Sequence, residues 1–367
     1  MPTDSTGATD SPGPTDSTVA GAARSAGRSG APLLDVRDLS VRFPTEDGFV
    51  NAVRGVSYTL AEREVLGIVG ESGSGKSVSS LAVMGLLPRS AQISGQILFD
   101  GKDVLTMSGS EQRSLRGRRI AMVFQDPMTA LNPVYSVGDQ LAEAVRSHQA
   151  ISKKLALARA AEMLGLVGIP KPKDRLGAYP HEFSGGMRQR VMIAMAVIND
   201  PDVIIADEPT TALDVTVQAQ ILEKLHEVKD AVNAAIVLIT HDLGVVAGIA
   251  HKVLVMYAGR AVELGSTEQV FRTPRMPYAA GLLGSIPALD SAGGRLRPIP
   301  GAPPSLINLP PGCPFSPRCP LADDQCQADE PALTATDQHG HTAACHHWGT
   351  LADRNDPAGI FKAEATA

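Results

Sequence analysis

A glycine-rich segment, GESGSGKS at residues 70–77, has the residue types and the spacing of a phosphate-binding loop. Its glycines let backbone N–H groups face phosphate, its lysine can meet β and γ oxygens, and its serine hydroxyl can bind Mg²⁺. The residues assigned to this phosphate site are Gly70, Glu71, Ser72, Gly73, Ser74, Gly75, Lys76 and Ser77. A buried strand pattern precedes the loop and a helical pattern over 77–87 follows it, as the motif requires. Kinases, GTPases and many ATPases share such a loop.

Two carboxylates end a second buried strand, VIIADE at residues 203–208. Beside a phosphate loop, Asp207 can hold Mg²⁺ through water and Glu208 can lie next to the γ-phosphate. Strand ends often carry solvated acidic residues, so the pair alone would have an ordinary structural explanation. Together with the upstream loop, the pair indicates phosphoryl transfer.

A second candidate phosphate binder, FSGGMRQR at residues 183–190, stands at the start of a predicted helix. The unpaired N–H groups of a helix N-terminus attract anions, and Ser184, Gly185 and Gly186 occupy that position. A serine there is by itself often only a helix cap. Its place about twenty residues before the VIIADE strand makes the functional interpretation the stronger one.

In this order the segments resemble the motifs of the ABC ATPase family. GESGSGKS resembles its Walker A motif, FSGGMRQR its signature and VIIADE its Walker B motif. Gln125 in VFQDP resembles the Q-loop, residues 211–214 (TALD) the D-loop, and His241 in LITHD the switch histidine. The signature carries Met187 where the family has glutamine, which removes a polar side chain but leaves Ser184 and the backbone donors.

The resemblance, over about residues 33–284, implies a head-to-tail dimer with each ATP held between one subunit's loop and the partner's signature. Glu208 would position and activate the attacking water, His241 would contact the γ-phosphate, and Gln125 would sense Mg²⁺ and the membrane partner. The Mg²⁺ ligands that it implies are Ser77, Gln125 and Asp207, and the residues that it implies act in trans are Ser184, Gly185 and Gly186. An aromatic residue of the first strands should stack on adenine; we expect Phe43, with Phe49 as the alternative.

All four cysteines lie near the end of the chain: Cys313, Cys319, Cys326 and Cys345. In a reducing cytosol, four thiolates favour Zn²⁺ or an iron–sulfur cluster over disulfides, and the lack of C-x₂-C pairs weakens a zinc ribbon. The pattern CPFSPRCP resembles the C-terminal extension of peptide/nickel importer ATPase subunits, which implies a [4Fe–4S] cluster. Zinc and free thiols remain alternatives, and His346 and His347 are spare ligand candidates.

The predicted fold is an α/β P-loop ABC ATPase with a parallel-sheet core, an antiparallel β subdomain, an inserted helical subdomain and a small cysteine-rich C-terminal extension. Strands alternating with helices after residue 202, ending in the RAVELG strand, predict the parallel sheet. The predicted boundaries are a disordered leader (1–31), the ATPase domain (32–285) with its helical subdomain at about 130–195, the extension (286–350) and a flexible tail (351–367).

Charge and hydropathy restrict the partners. With 33 Lys and Arg against 39 Asp and Glu, no positive surplus attracts nucleic acid or anionic lipid. No apolar stretch reaches the roughly 18 residues that span a bilayer, and the first residues lack the apolar core of a secretory signal. The resemblance implies a peripheral protein at the cytoplasmic face of the inner membrane, with a second ATPase subunit, two transmembrane permeases and an extracytoplasmic peptide-binding protein.

The implied function is ATP hydrolysis that powers uptake of di- or oligopeptides. VFQDPMTALNPVYSVGDQ is similar to the part of that subfamily that faces the permease, and nickel or a nickel chelate is the alternative cargo. Non-transport ABC ATPases are a less favoured alternative. Those of DNA repair and chromosome structure insert a long coiled coil, and the interval here lacks sustained heptads. Those of translation carry two ATPase units, and this chain has no internal repeat.

Overall fold

The computed structural model describes residues 31–211, 213–285, 298–354 and 356–361. Residues from Pro32 onward form one compact unit. The predicted disordered leader lies outside the described residues, apart from Ala31. Within the described ranges, no helix combines the length and the apolar character needed to cross a bilayer.

The strands are β1 (Leu34–Thr45), β2 (Gly48–Leu60), β3 (Val65–Val69), β4 (Gln92–Phe99), β5 (Lys102–Asp103), β6 (Ile120–Val123), β7 (Val203–Asp207), β8 (Ala235–Thr240), β9 (Lys252–Tyr257), β10 (Arg260–Ser266), β11 (Thr334–Ala335) and β12 (Thr342–Ala343). The helices are α1 (Lys76–Val83), α2 (Gly109–Leu115), α3 (Pro127–Ala130), α4 (Val137–Arg146), α5 (Lys153–Leu166), α6 (Pro172–Arg175), α7 (Gly185–Val197), α8 (Val215–Val232), α9 (Leu243–Ile249), α10 (Thr267–Arg272), α11 (Pro277–Gly284), α12 (Asp324–Ala328) and α13 (Trp348–Ala352).

The main sheet has the strand order β11-β12-β10-β9-β3-β8-β7-β6. From β9 to β6 the neighbouring strands are parallel, which confirms the predicted parallel core. The strand RAVELG, β10, is the exception, because it runs antiparallel to β9. Ala258 and Gly259 make a two-residue turn between them with φ values of 47° and 80°, the backbone conformation of a tight hairpin.

The first strands form a separate antiparallel sheet of order β2-β1-β4-β5, as predicted for the β subdomain. Its inward residues alternate along β1, where Leu34, Val36, Leu39 and Val41 are all buried. They share one apolar core with the main-sheet residues Leu66 and Ile68 and with helix α1. The small sheet is thus anchored directly beside the strand that leads into the glycine-rich loop.

The inserted helices begin at polar caps. Ser136, Ser152 and Ser184 each accept a hydrogen bond from a backbone N–H in the first turn of α4, α5 and α7. Asp214 caps α8 in the same way, and Asn233 ends it with a φ of 56°. Helix α1 is shorter than the predicted 77–87, since Gly85 adopts a φ of 59° just beyond its end.

The C-terminal extension adds strands to the main sheet and packs against it. Strand β12 pairs with β10, so the extension adds two short strands to the sheet. Phe315 is completely buried, with its ring 5.3 Å from that of Tyr257 and 5.4 Å from that of Tyr278. The ring of Phe361, within the segment predicted to be a flexible tail, packs 6.4 Å from that of Phe315. Residues 362–367 lie outside the described part.

Candidate nucleotide-binding site

Four neighbouring parallel strands end at one edge of the main sheet. The glycine-rich loop follows β3, Gln125 follows β6, Asp207 ends β7, and His241 follows β8. Carboxyl ends of parallel strands form the usual ligand-binding edge of an open α/β sheet. Segments far apart in sequence are therefore brought to one place by the sheet order.

The loop has a conformation that only glycine permits at two points. Gly70 and Gly75 have φ values of 151° and 98°, and a Cβ on them would lie 2.2 Å from the Met256 carbonyl oxygen and 2.3 Å from that of Ala52. Gly75 is also the N-cap of α1, so the helix begins where the loop closes. The first N–H groups of a helix have no intrahelical partner, so this helix start within the loop suits an anion.

Lys76 lies inside the loop. Its ammonium donates to the carbonyl oxygens of Gly70 at 2.7 Å and Glu71 at 2.9 Å. Burial lowers the pKa of Lys76, while the nearby carboxylates of Glu208, Asp207 and Glu71 oppose that shift. A buried ammonium with only neutral hydrogen-bond partners is suited to an anionic ligand.

The hydroxyl of Ser77 donates to Asp207 Oδ1 at 2.9 Å. Asp207 is buried, and burial raises its pKa above the ordinary value. The two side chains come from the start of α1 and the end of β7, so the sheet holds a hydroxyl and a carboxylate together at the mouth of the loop.

Glu208 is the centre of a polar cluster. Its carboxylate accepts from Gln125 Nε2 at 3.0 Å and from the hydroxyl of Thr211 at 2.9 Å, and His241 Nδ1 lies 3.4 Å away. The Glu208 side chain is 16% exposed and that of His241 is 62% exposed. Sequence motifs place Thr211 only in the TALD segment, although its position three residues after Glu208, in a tight turn, is a signal for this side-chain contact.

The FSGGM segment lies at the start of α7, where Ser184 caps the helix. It borders an open depression that none of the loop residues 70–77 lines. The lining residues are Ser184, Gly185, Gly186, Met187, Arg190, Leu213, Asp214, Val217 and Gln220. Within one chain, the two phosphate-binding candidates are thus separate surfaces.

The two aromatic candidates of the first sheet differ in environment. Phe43 is half-buried and packs against the core of the antiparallel sheet. Phe49 is 39% exposed, with the Arg42 guanidinium 4.8 Å from its ring centroid. The adenine contact therefore stays a prediction, with Phe43 as the first candidate.

The cysteines are gathered by the turns of the extension, and all four are free thiols. Burial raises the pKa of Cys319 to about 11 and that of Cys345 to about 12. The charges of the other three cysteines add to the opposition to ionisation of Cys345, after burial as the largest cause. Cys313 and Cys326 are buried, and their thiol pKa values are also raised by burial.

Backbone amides support these sulfur atoms. The N–H of His347 donates to Cys345 Sγ at 3.3 Å, and the backbone at Phe315 and Leu321 opposes the burial that raises the pKa of Cys313 and Cys319. Donors two residues after a cysteine favour its thiolate form. A different set, Asp323, Cys326 and His347, places one ligand atom from each residue within 4.8 Å of the others.

The family models match two segments. The model described as ABC transporter matches residues 53–211, and the one described as oligopeptide/dipeptide transporter, C-terminal region, matches residues 262–326. In solved structures the chain resembles a dimeric structure of the ATP-binding cassette MJ0796 bound to ADP and phosphate, with a TM-score of 0.57, 24% identity and coverage of 64% of this chain and 98% of that one. It also resembles cbiO1 of Clostridium perfringens, with a TM-score of 0.57, 30% identity and coverage of 65% and 90%.

Curated relatives are similar over most of the chain. The oligopeptide transport ATP-binding protein OppD of Haemophilus influenzae is 54% identical over 314 residues, 86% of this chain and 97% of the relative. The dipeptide transport ATP-binding protein DppD of Bacillus subtilis is 54% identical over 315 residues, 85% and 94%. OppD of Mycobacterium tuberculosis is 54% identical over 341 residues, and this chain spans 55% of its length. The chain therefore belongs to the ABC transporter family, among the oligopeptide and dipeptide transport ATP-binding proteins.

Proposed function

We propose that this chain is the ATP-hydrolysing, nucleotide-binding subunit of an ABC importer that takes up di- and oligopeptides. The observation that carries the proposal is one polar site at a sheet edge, made by Lys76, Asp207 and Glu208, in a chain 54% identical to OppD and DppD proteins. The alternative cargo, nickel, has no comparable support, since both relatives are named for peptide transport.

The residues of the loop fit a triphosphate. Lys76 is a buried cation, the N-terminus of α1 faces the loop, and the buried hydroxyl of Ser74 has no hydrogen-bond partner. An orphaned buried hydroxyl is rare, and a phosphate oxygen would satisfy it. Mg²⁺, held by Ser77 and Asp207 with Gln125 nearby, would neutralise phosphate charge.

We assign to Glu208 the removal of a proton from the attacking water. Gln125 and Thr211 fix the carboxylate from one side, and His241 lies on the other at 3.4 Å. In-line attack on a phosphate depends mainly on such positioning and on charge stabilisation. His241, the most exposed of these side chains, would contact the γ-phosphate.

The separate surface at Ser184, Gly185 and Gly186 supports action in trans. A dimer with head-to-tail subunits would bring this helix N-terminus to the nucleotide on the partner's loop, which explains two phosphate binders in one chain. We expect the partner to be a second ABC ATPase subunit, in a heterodimer.

Exposed apolar side chains near Gln125 support a membrane partner. Phe124 and Met128 flank the Q-loop and are 40% and 55% exposed, and Val134, Tyr135 and Tyr179 are also exposed. An exposed apolar segment such as residues 124–135 is suited to a protein interface. We assign it to two transmembrane permeases, which would hold the chain at the cytoplasmic face of the inner membrane while an extracytoplasmic binding protein delivers peptide.

The decisive experiment for the function is uptake by the purified complex in lipid vesicles. ATP inside the vesicles and the peptide-binding protein outside should drive accumulation of a labelled tripeptide, with ATP consumed in proportion. A Lys76→Ala complex should do neither. Uptake of nickel without peptide uptake would identify nickel as the cargo instead of peptide. Absence of any ATPase activity would reject the proposed function itself.

We also propose that Cys313, Cys319, Cys326 and Cys345 hold a [4Fe–4S] cluster. Support comes from the CPFSPRCP pattern and from four free thiols in the extension, one of which, Cys345, accepts an amide hydrogen bond. Such a cluster would chiefly stabilise the fold of the extension, because its metal–sulfur bonds would link turns that have little regular secondary structure. A Zn²⁺ ion at Asp323, Cys326 and His347 is the alternative.

Two variants separate these metal sites after anaerobic purification. For the cluster, we expect about four irons per chain and broad absorbance near about 400 nm. Cys313→Ser should remove both, while His347→Ala should retain them. One zinc that survives Cys313→Ser and is lost in His347→Ala would reject the cluster.

A further inference from the structure

An arginine of the extension reaches the glycine-rich loop. Arg318 follows Cys313 and precedes Cys319, and its guanidinium makes two bonds to the Glu71 carboxylate, at 2.6 and 2.9 Å. The Arg318 side chain is only 4% exposed, and that of Glu71 is 28% exposed. This is a bidentate pair between residues 247 positions apart, largely shielded from water.

Arg318 is itself held firmly. Its Nε donates to the Pro300 carbonyl at 2.9 Å, and its Nη1 lies 3.3 Å from the Tyr257 hydroxyl. The guanidinium carbon lies 5.8 Å from the ring centroids of both Tyr257 and Phe315. A guanidinium fixed on several sides can hold the carboxylate that it binds in one position.

Glu71 connects Arg318 to the phosphate site. Its N–H donates to the Tyr278 hydroxyl at 2.7 Å, so backbone and side chain are both anchored by later parts of the chain. Its carbonyl accepts from Lys76 Nζ at 2.9 Å and from the N–H of Ser74 at 3.2 Å. Hydrogen bonds thus link Arg318 to Glu71, and Glu71 to the lysine and to the Ser74 backbone N–H of the loop.

Charge gives the pair a second effect. A carboxylate beside a site for a triphosphate repels it, and Glu71 is close enough to act on the charge of Lys76. Arg318 neutralises Glu71 and binds both oxygens of its carboxylate. Without the arginine, that carboxylate would be free to compete with phosphate for the Lys76 ammonium.

We propose that Arg318 is a positioning residue for nucleotide binding: by holding Glu71, it keeps the phosphate loop in its receptive conformation and ties nucleotide affinity to the folded extension. The inference rests on the proposed function and deepens it, since it concerns the same loop. It assigns to the extension a direct effect on the ATP site, independent of which metal the cysteines hold.

The test is the affinity of the full chain for Mg²⁺-ADP, measured by calorimetry. Arg318→Ala should weaken binding about tenfold, a typical coupling between linked sites. Arg318→Lys should lose less, because an ammonium keeps the charge but not the bidentate geometry. The double variant Glu71→Gln/Arg318→Ala should recover part of the loss, since no unpaired carboxylate remains.

Glu330→Gln is the matched control. Glu330 pairs with Arg54 at 2.6 Å and Arg260 at 3.2 Å, so it also ties the extension to the ATPase domain but makes no contact with the loop. It should lower the melting temperature and leave the ADP affinity within about twofold.

Unchanged affinity in both Arg318 variants would overturn the proposal. So would an equal loss in Glu330→Gln, because the effect would then be one of general docking. If Arg318→Ala does not fold, Arg318→Lys and the double variant decide the question. Failure of the unaltered chain to bind ADP would reject the proposed function and would be seen before any variant is compared.

Discussion

Glu208 combines backbone strain with a full set of side-chain contacts. Its φ is 46°, in the left-handed region that side-chain-bearing residues rarely adopt. Its N–H donates to the Ile239 carbonyl at 2.9 Å, which holds the peptide in place at the end of β7. Strain of this kind persists only where the surroundings impose it, and it is concentrated at functional sites.

Replacing Glu208 should separate binding from hydrolysis. Glu208→Gln keeps the shape and the contact with Thr211, so nucleotide should still bind, but the amide accepts no proton from water. We expect the steady-state ATPase rate of the complex to fall at least about 100-fold, the usual contribution of a general base.

Glu223→Gln is the control, because Glu223 is exposed on α8 and far in sequence from the loop. It should hydrolyse ATP at the unaltered rate. A Glu208→Gln complex that kept more than about a tenth of the activity would show that another group activates the water.

At the scale of single residues, the sequence predicts site residues that end or closely follow buried strands. Gln125, Asp207, Glu208 and His241 all end or follow a strand, and the sheet order brings them together. Arg318 was missed because its partner lies 247 residues earlier, and no periodicity connects an irregular cysteine-bearing turn to a loop. Long-range side-chain pairs of this kind depend on packing that local patterns do not encode.

Among the elements, the aromatic cluster around Phe315 secures the extension. Phe315 has no exposed surface and meets Tyr257, Tyr278 and Phe361. Phe315→Ala should lower the free energy of unfolding by about 3–5 kcal/mol, the cost of a buried cavity of this size. Urea unfolding of the metal-loaded chain measures it.

Phe49→Ala is the comparison, since Phe49 is 39% exposed at the edge of the other sheet. Its loss should cost less than about 1 kcal/mol. If the two variants were equally stable, the extension would be docked by something other than its aromatic ring.

Element boundaries followed the sequence wherever a local signal was strong. Helix α8 runs from 215 to 232, because Asp214 caps its start and Asn233 adopts the left-handed conformation at its end. The prediction that β10 is parallel to its neighbour was wrong, because the two-residue turn at Ala258 and Gly259 reverses the chain without a helix. The sequence pattern of alternating strands and helices does not indicate this turn.

For the whole molecule, the proposed trans site makes a prediction about the assembly. Ser184→Arg places a long cation at the start of α7, on a surface that loop residues 70–77 do not line. The chain should bind nucleotide at its own loop with unchanged affinity, but ATP turnover by the assembled complex should fall at least about tenfold.

Ser114→Arg on α2 makes the same change at an exposed position outside that surface, and turnover should be unaffected. Weakened binding at the chain's own loop in Ser184→Arg would place the signature in cis. Normal turnover would mean that this helix start contacts no nucleotide in the complex.

The two short strands of the extension also protect the protein from self-association. Strand β10 pairs with β12 through Glu263–Ala343 and Leu264–Thr342, and β12 is in turn flanked by β11. Without them, the backbone donors and acceptors along this side of β10 would be open to a strand from another molecule. A chain shortened before residue 298 would therefore carry an unprotected sheet edge, and we expect it to aggregate even if its ATP-binding motifs are intact.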